Sequence, residues 1–120
     1  MPEMMKAVAK TKPTSGAELV EVPIPKPGPK DLLVEVKATA ICGTDRHIFG
    51  WNAWADSRIK TPIVFGHEFC GHVVEVGKDV TGFKKGDFVS AESHIPCGTC
   101  RVCRNNQMHI CANLKILGVD

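Results

Sequence analysis

Four cysteines within 15 residues, Cys97, Cys100, Cys103 and Cys111, constrain this chain more than any other feature. Their spacing is C-x2-C-x2-C-x7-C. Two-residue gaps let consecutive thiolates converge on one ion without straining the backbone, and four thiolates make a closed, tetrahedral, structural zinc site. An iron–sulfur cluster held by four cysteines at comparable spacing is the alternative. Four thiolates around Zn2+ leave a local charge of −2, which Arg101, Arg104 and the loop amides are placed to offset. Such a site would order a loop with little apolar content of its own. Cys42 and Cys70 complete a set of six cysteines. An even number also suits a disulfide framework in a small secreted protein, but Met1 to Lys12 has no apolar block ahead of a cleavage site. The expectation is a cytosolic chain whose thiols stay reduced and hold metal.

The 120 residues suffice for one domain, and 15 basic against 13 acidic residues give a net charge of +2. That balance gives no reason to expect nucleic acid or an acidic membrane as partner. No apolar run approaches the roughly 20 residues that span a bilayer. Eleven glycines and eight prolines punctuate short segments rich in Val and Ile, a pattern of strands joined by turns. Leu32 to Ala40 is the clearest strand, with Leu32, Val34, Val36, Ala38 and Ala40 expected on one face. Phe69 to Val76 and Asp87 to Ala91 follow, with Met5 to Ala9 and Ala17 to Val22 as weaker candidates. One short helix is expected after Gly43, with Thr44 as its N-cap. Pro23, Pro25, Pro27 and Pro29 read as a stiff connection between strands, the alternative being a ligand for an SH3-type module. Short antiparallel strands at this spacing suggest a barrel or a sandwich.

A second constellation is weaker when taken alone. Cys42 follows the best strand, and Gly66-His67-Glu68 comes later. Cys, His and carboxylate from separate segments are the ligand types of an open catalytic zinc site. A solvated His–Glu pair and a buried apolar cysteine are the plain alternatives. The wider string carries more. Gly66-His67-Glu68-x2-Gly71-x5-Gly77-x2-Val80 resembles the signature of zinc-dependent medium-chain alcohol dehydrogenases. Gly86-Asp87-Phe88-Val89 and Cys42-Gly43-Thr44-Asp45-x-His47 resemble further segments of that family, and the cysteine cluster falls where the family carries its structural-zinc lobe. The likeness runs from about Met5 to the end of the chain. Trp51-Asn52-x-Trp54-Ala55, Ile59-Lys60-x-Pro62, Glu92-Ser93-His94-Ile95 and Lys115 to Asp120 narrow it to the threonine-oxidising branch.

The resemblance implies a mainly β fold: a GroES-like β-barrel with short helices and a zinc-binding lobe at about residues 94–113, all within one catalytic domain over 1–120. No G-x-G-x-x-G occurs, so the dinucleotide-binding Rossmann domain is expected to be absent from this chain. The likeness implies a catalytic zinc held by Cys42, His67 and Glu68, a fourth protein ligand beyond residue 120, and a structural zinc held by the four clustered cysteines. The complete enzyme would use NAD, would act on a small hydroxy amino acid by zinc-assisted hydride transfer, and would be a homo-oligomer; this portion alone would be inactive. Thr44 would accept a hydrogen bond from the substrate hydroxyl, His47 would relay the proton toward solvent, and Asp45 would orient a ligand. Trp51, Trp54 and His94 are candidates for the substrate pocket. Cys70 is read as core, and His72 and His109 as outside the chemistry. The competing readings are a polyol or secondary-alcohol dehydrogenase of the same family and a non-catalytic, zinc-stabilised binding module.

Overall fold

The computed structural model describes residues 3–120. Its strands are β1 (Met4–Lys10), β2 (Glu18–Pro23), β3 (Leu32–Ala40), β4 (Ile63–Val64), β5 (Glu68–Val76), β6 (Phe88–Ser90), β7 (His94–Ile95) and β8 (Lys115–Ile116). They form three antiparallel sheets, ordered β2-β1-β4, β3-β5-β6 and β7-β8. The fold is mainly β, as expected, and all five sequence-expected strands are present within one or two residues of their bounds. Pro23 ends β2 on the outer edge of its sheet, where a missing N–H costs no ladder bond. The proline-rich stretch that follows connects β2 to β3 without regular structure.

Helices are more numerous than the one expected. Besides α1 (Gly43–Gly50) there are α2 (Ala53–Arg58) and α3 (Arg101–Arg104), with a 3-10 turn at Met108–Ile110. The expected cap is also displaced. Cys42, not Thr44, is the N-cap of α1, and Asp45 closes the box by accepting the Cys42 N–H at 2.8 Å. Asn52 caps α2 by accepting from the Ala55 N–H at 3.0 Å.

The expected alternation of β3 does not survive intact. Register shifts between Leu33 and Val34 and between Val36 and Ala38 break the period of two, and everything from Glu35 to Ala40 is exposed. Gly71 explains part of this: a Cβ there would stand 2.1 Å from the Glu35 carbonyl oxygen, so the strands approach too closely for any side chain.

The apolar core lies between the helices and the last turn of the chain. Ile48 of α1, Ala55 of α2, Ile59 and Val119 are buried together, with Trp51, Ile63, Phe65 and Ile116 packed around them. Lys10 is buried beside this core. Its ammonium donates to the carbonyls of Thr14, Gly16 and Phe49 at 2.5, 2.5 and 2.9 Å and lies 5.4 Å from the centre of the Trp51 ring. Burial lowers its pKa, and the carbonyl at the end of α1 is a favourable place for a cation. Among the described residues no helix is long and apolar enough to cross a membrane.

Candidate active site and metal centres

Pairing of β3 with β5 brings the separated candidate ligands together. Ala40, the last residue of β3, stands opposite Glu68, the first of β5. Thr39 Oγ1 locks that end by donating to the Glu68 carbonyl at 2.8 Å. Cys42 lies two residues beyond Ala40 and His67 one before Glu68, so chain geometry alone makes the three converge. One ligand atom from each of Cys42, His67 and Glu68 lies within 4.8 Å of the others.

Asp45 ties two of them to a common support. One oxygen accepts the Cys42 N–H. The other, Oδ1, lies 3.6 Å from His67 Nδ1, and both of these atoms are buried without another partner. A proton on His67 Nδ1 would face Asp45 Oδ1 and leave the Nε2 lone pair for a metal. Cys, His and carboxylate with a buried supporting carboxylate fit an open zinc site.

The turn carrying His67 is held by a glycine contact. Gly66 has φ +113°, and Gly118, at φ +69°, packs so closely that a Cβ there would stand 2.3 Å from the Gly66 carbonyl oxygen. Gly118→Ala should therefore push the Gly66–Glu68 turn away from Val119. The expected cost is about 2–4 kcal/mol of stability, together with weakened metal binding at Cys42, His67 and Glu68. Thermal melts and metal analysis of the variant check both, and a wild-type melt with full metal content would refute the contact's importance.

A cleft of about 760 Å³ opens beside these ligands. Cys42, Thr44, Trp54, His67, Glu68, Cys70, Ser90, Glu92, His94, Ile116 and Val119 are among its walls. Thr44, Trp54 and His94, all candidates from the sequence, line this cleft. Trp51 does not: its left-handed backbone, φ 52°, turns the ring into the core, and its Nε1–H donates to Asp56 at 2.9 Å. His47 lies outside the cleft, exposed, with Nδ1 at 2.8 Å from Asn52 Nδ2 and its ring tilted against Trp54. Cys70 is half-buried and lines the cleft rather than the core. Sequence reasoning left out Glu92, whose Oε1 accepts from His94 Nδ1 at 2.6 Å and from its N–H at 3.2 Å. The alternation of β5 could have exposed Cys70, since it shares a face with Glu68.

The four clustered cysteines also converge, each offering a sulfur within 4.8 Å of the rest. Cys111 Sγ lies 3.5 Å from Cys97 Sγ and 3.9 Å from Cys100 Sγ. Four thiolates at about 2.3 Å from one tetrahedral zinc ion stand about 3.8 Å apart. The spacing therefore suits a single ion, whereas the separate irons of a cluster hold their thiolates farther apart. Backbone N–H groups of Thr99 and Cys100 bring the Cys97 thiol down to about 5. Burial, then the neighbouring Cys100 thiol, pushes Cys103 up to about 12.

Comparison with known proteins places these features. The model of the alcohol dehydrogenase GroES-like domain matches residues 28–119. A protein of Pyrococcus abyssi named L-threonine 3-dehydrogenase is 60% identical over the whole of this chain, which covers 34% of that protein. A protein of the same name from Bacillus velezensis is 54% identical over 97% of the chain and 33% of its own length. Among solved structures, the cobalt- and zinc-bound thermostable alcohol dehydrogenase of Pyrobaculum aerophilum superimposes with a TM-score of 0.81 at 31% identity, over 98% of this chain and 36% of that one. The chain spans about a third of the length of the curated relatives it matches.

Proposed function

The chain belongs to the alcohol dehydrogenase GroES-like domain family, and we propose that it is the metal-holding part of an NAD-dependent dehydrogenase that oxidises the 3-hydroxyl of L-threonine to the 2-amino-3-oxo acid. The observation that carries this reading is the convergence of Cys42, His67 and Glu68 at the wall of an open cleft, over a buried Asp45. Identity of 60% over this chain, which covers 34% of a protein named for threonine, favours that substrate over a polyol.

Cys42, His67 and Glu68 would hold a catalytic zinc, and Cys97, Cys100, Cys103 and Cys111 a structural one. When bound, the catalytic zinc would supply a Lewis acid for the hydroxyl oxygen of the substrate, and NAD would supply the acceptor for the hydride. The chain's own residues do the rest. Asp45 holds His67 in the tautomer that leaves Nε2 free. Thr44, on the first turn of α1 and in the cleft wall, accepts the hydrogen bond from the substrate hydroxyl and so gives its proton a way out. His47, three residues on and exposed, is the solvent-side acceptor for that proton. The Asn52 amide nitrogen, 2.8 Å from Nδ1, orients its ring. Trp54 lines one side of the cleft.

Steady-state kinetics of the complete enzyme with threonine, 2-butanol and sorbitol test the reading. A kcat/KM for threonine at least about a hundredfold above that for 2-butanol is expected, because a site built for a polar group discriminates strongly against an analogue that lacks it. A higher kcat/KM for sorbitol than for threonine would move the chain to the polyol dehydrogenases.

A further inference from the structure

We propose that Glu92 reads the ammonium group of the substrate, and so determines specificity for a hydroxy amino acid over the corresponding hydroxy acid; this rests on the threonine reading above. In threonine the reacting hydroxyl and the ammonium sit on adjacent carbons. With the hydroxyl facing Cys42, His67 and Glu68, the ammonium requires an anion nearby in the same cleft. Among the described residues, Glu68 and Glu92 are the two carboxylates in its walls, and no lysine or arginine lines it. Glu68 belongs to the metal set, which leaves Glu92.

Its surroundings suit the task. Both bonds from His94 go to Oε1, and Oε2 has no hydrogen-bond partner among the described residues. The two bonds anchor the carboxylate on the segment between β6 and β7 and restrict its rotamers before any ligand arrives. The His94 side-chain bond also holds the Glu92 carboxyl below its ordinary range, so it is ionised at neutral pH. With Glu68 in the metal set, the Glu92 carboxylate favours the cationic end of the substrate over its carboxylate end.

The experiment compares the complete enzyme with its Glu92→Gln variant, checked first for equal metal content. Two quantities are measured: kcat/KM for threonine, and the inhibition constant of 3-hydroxybutyrate, which has the same carbinol and carboxylate but no ammonium. A hydrogen bond to a charged group contributes enough that kcat/KM for threonine should fall about tenfold to a hundredfold. Binding of 3-hydroxybutyrate should be unchanged or tighter, so the discrimination between the two collapses. If both fall together, Glu92 merely positions His94 and the inference is overturned; the same follows if neither moves. Should the wild-type enzyme fail to turn over threonine at all, the substrate assignment itself fails, an outcome distinct from both.

Discussion

Cys103→Ser should strip one tightly held metal equivalent from the chain and open the lobe at residues 94–113. Cys103 and Cys111 are the two core residues of this segment, and its regular structure is two residues of β7, one turn of α3 and a 3-10 turn. Nothing apolar is buried there to replace the metal. Structural zinc in small domains contributes roughly 10–16 kcal/mol of binding free energy at neutral pH, and that energy is folding energy. Losing a buried thiolate should therefore raise the rate of proteolytic cleavage within the lobe at least about tenfold, a change of only about 1.4 kcal/mol in local opening. The comparison is Cys70→Ser, which lies outside the cluster and should keep both the metal and the protection. A Cys103→Ser protein that retained its metal and resisted protease like wild type would dispose of the four-thiolate site. The same geometry sets the pH response. Zinc is held by thiolates, so loading the four cysteines expels their thiol protons, affinity rises with pH and acid releases the ion.

Both candidate ligand clusters were legible in the sequence for different reasons. The cysteine cluster is local, and its spacing alone brings the sulfurs together. The second site depends on β3 and β5 being paired in the right register. It was readable because Leu32 to Ala40 and Phe69 to Val76 are strongly β-patterned and the segments at their ends resemble a known family. What the sequence concealed is short-range backbone detail. The six residues of α2 are too few to show a helical period, and its start is marked by Asn52 alone. Thr44 looked like a cap because its hydroxyl is a better acceptor than a thiol, yet the box formed by Cys42 and Asp45 fixes the helix start two residues earlier. Trp51 looked like a pocket wall until a positive φ turned it inward. The buried Lys10 had no sequence signal at all, since its partners are carbonyls on a loop and at a helix end. Glu92 was passed over although its neighbour His94 was a pocket candidate, because the contact between its carboxylate and the His94 ring leaves no mark in the sequence.

Chelator titration of the 120-residue chain should remove metal in two separable steps, the first from Cys42, His67 and Glu68. This chain offers three ligands there, and one of them, Glu68, is exposed at the wall of an open cleft, so water completes the shell. Cys97, Cys100, Cys103 and Cys111 offer four thiolates on one short segment, with the last position closed. Loss of a partner that merely supports a ligand costs about ten- to a hundredfold in metal affinity. A three-ligand site with an exposed carboxylate should be weaker than the four-thiolate site by at least about that upper figure. The first equivalent should leave without loss of protease protection at residues 94–113, because it holds β3, α1 and β5 at points already fixed by strand pairing and by Asp45. Cys42→Ser should abolish that weaker equivalent alone and leave the stronger one and the melting behaviour of the lobe as they were. Loss of both equivalents in one step, or a Cys42→Ser protein that titrates like wild type, would remove Cys42 from the ligand set and the open metal site with it.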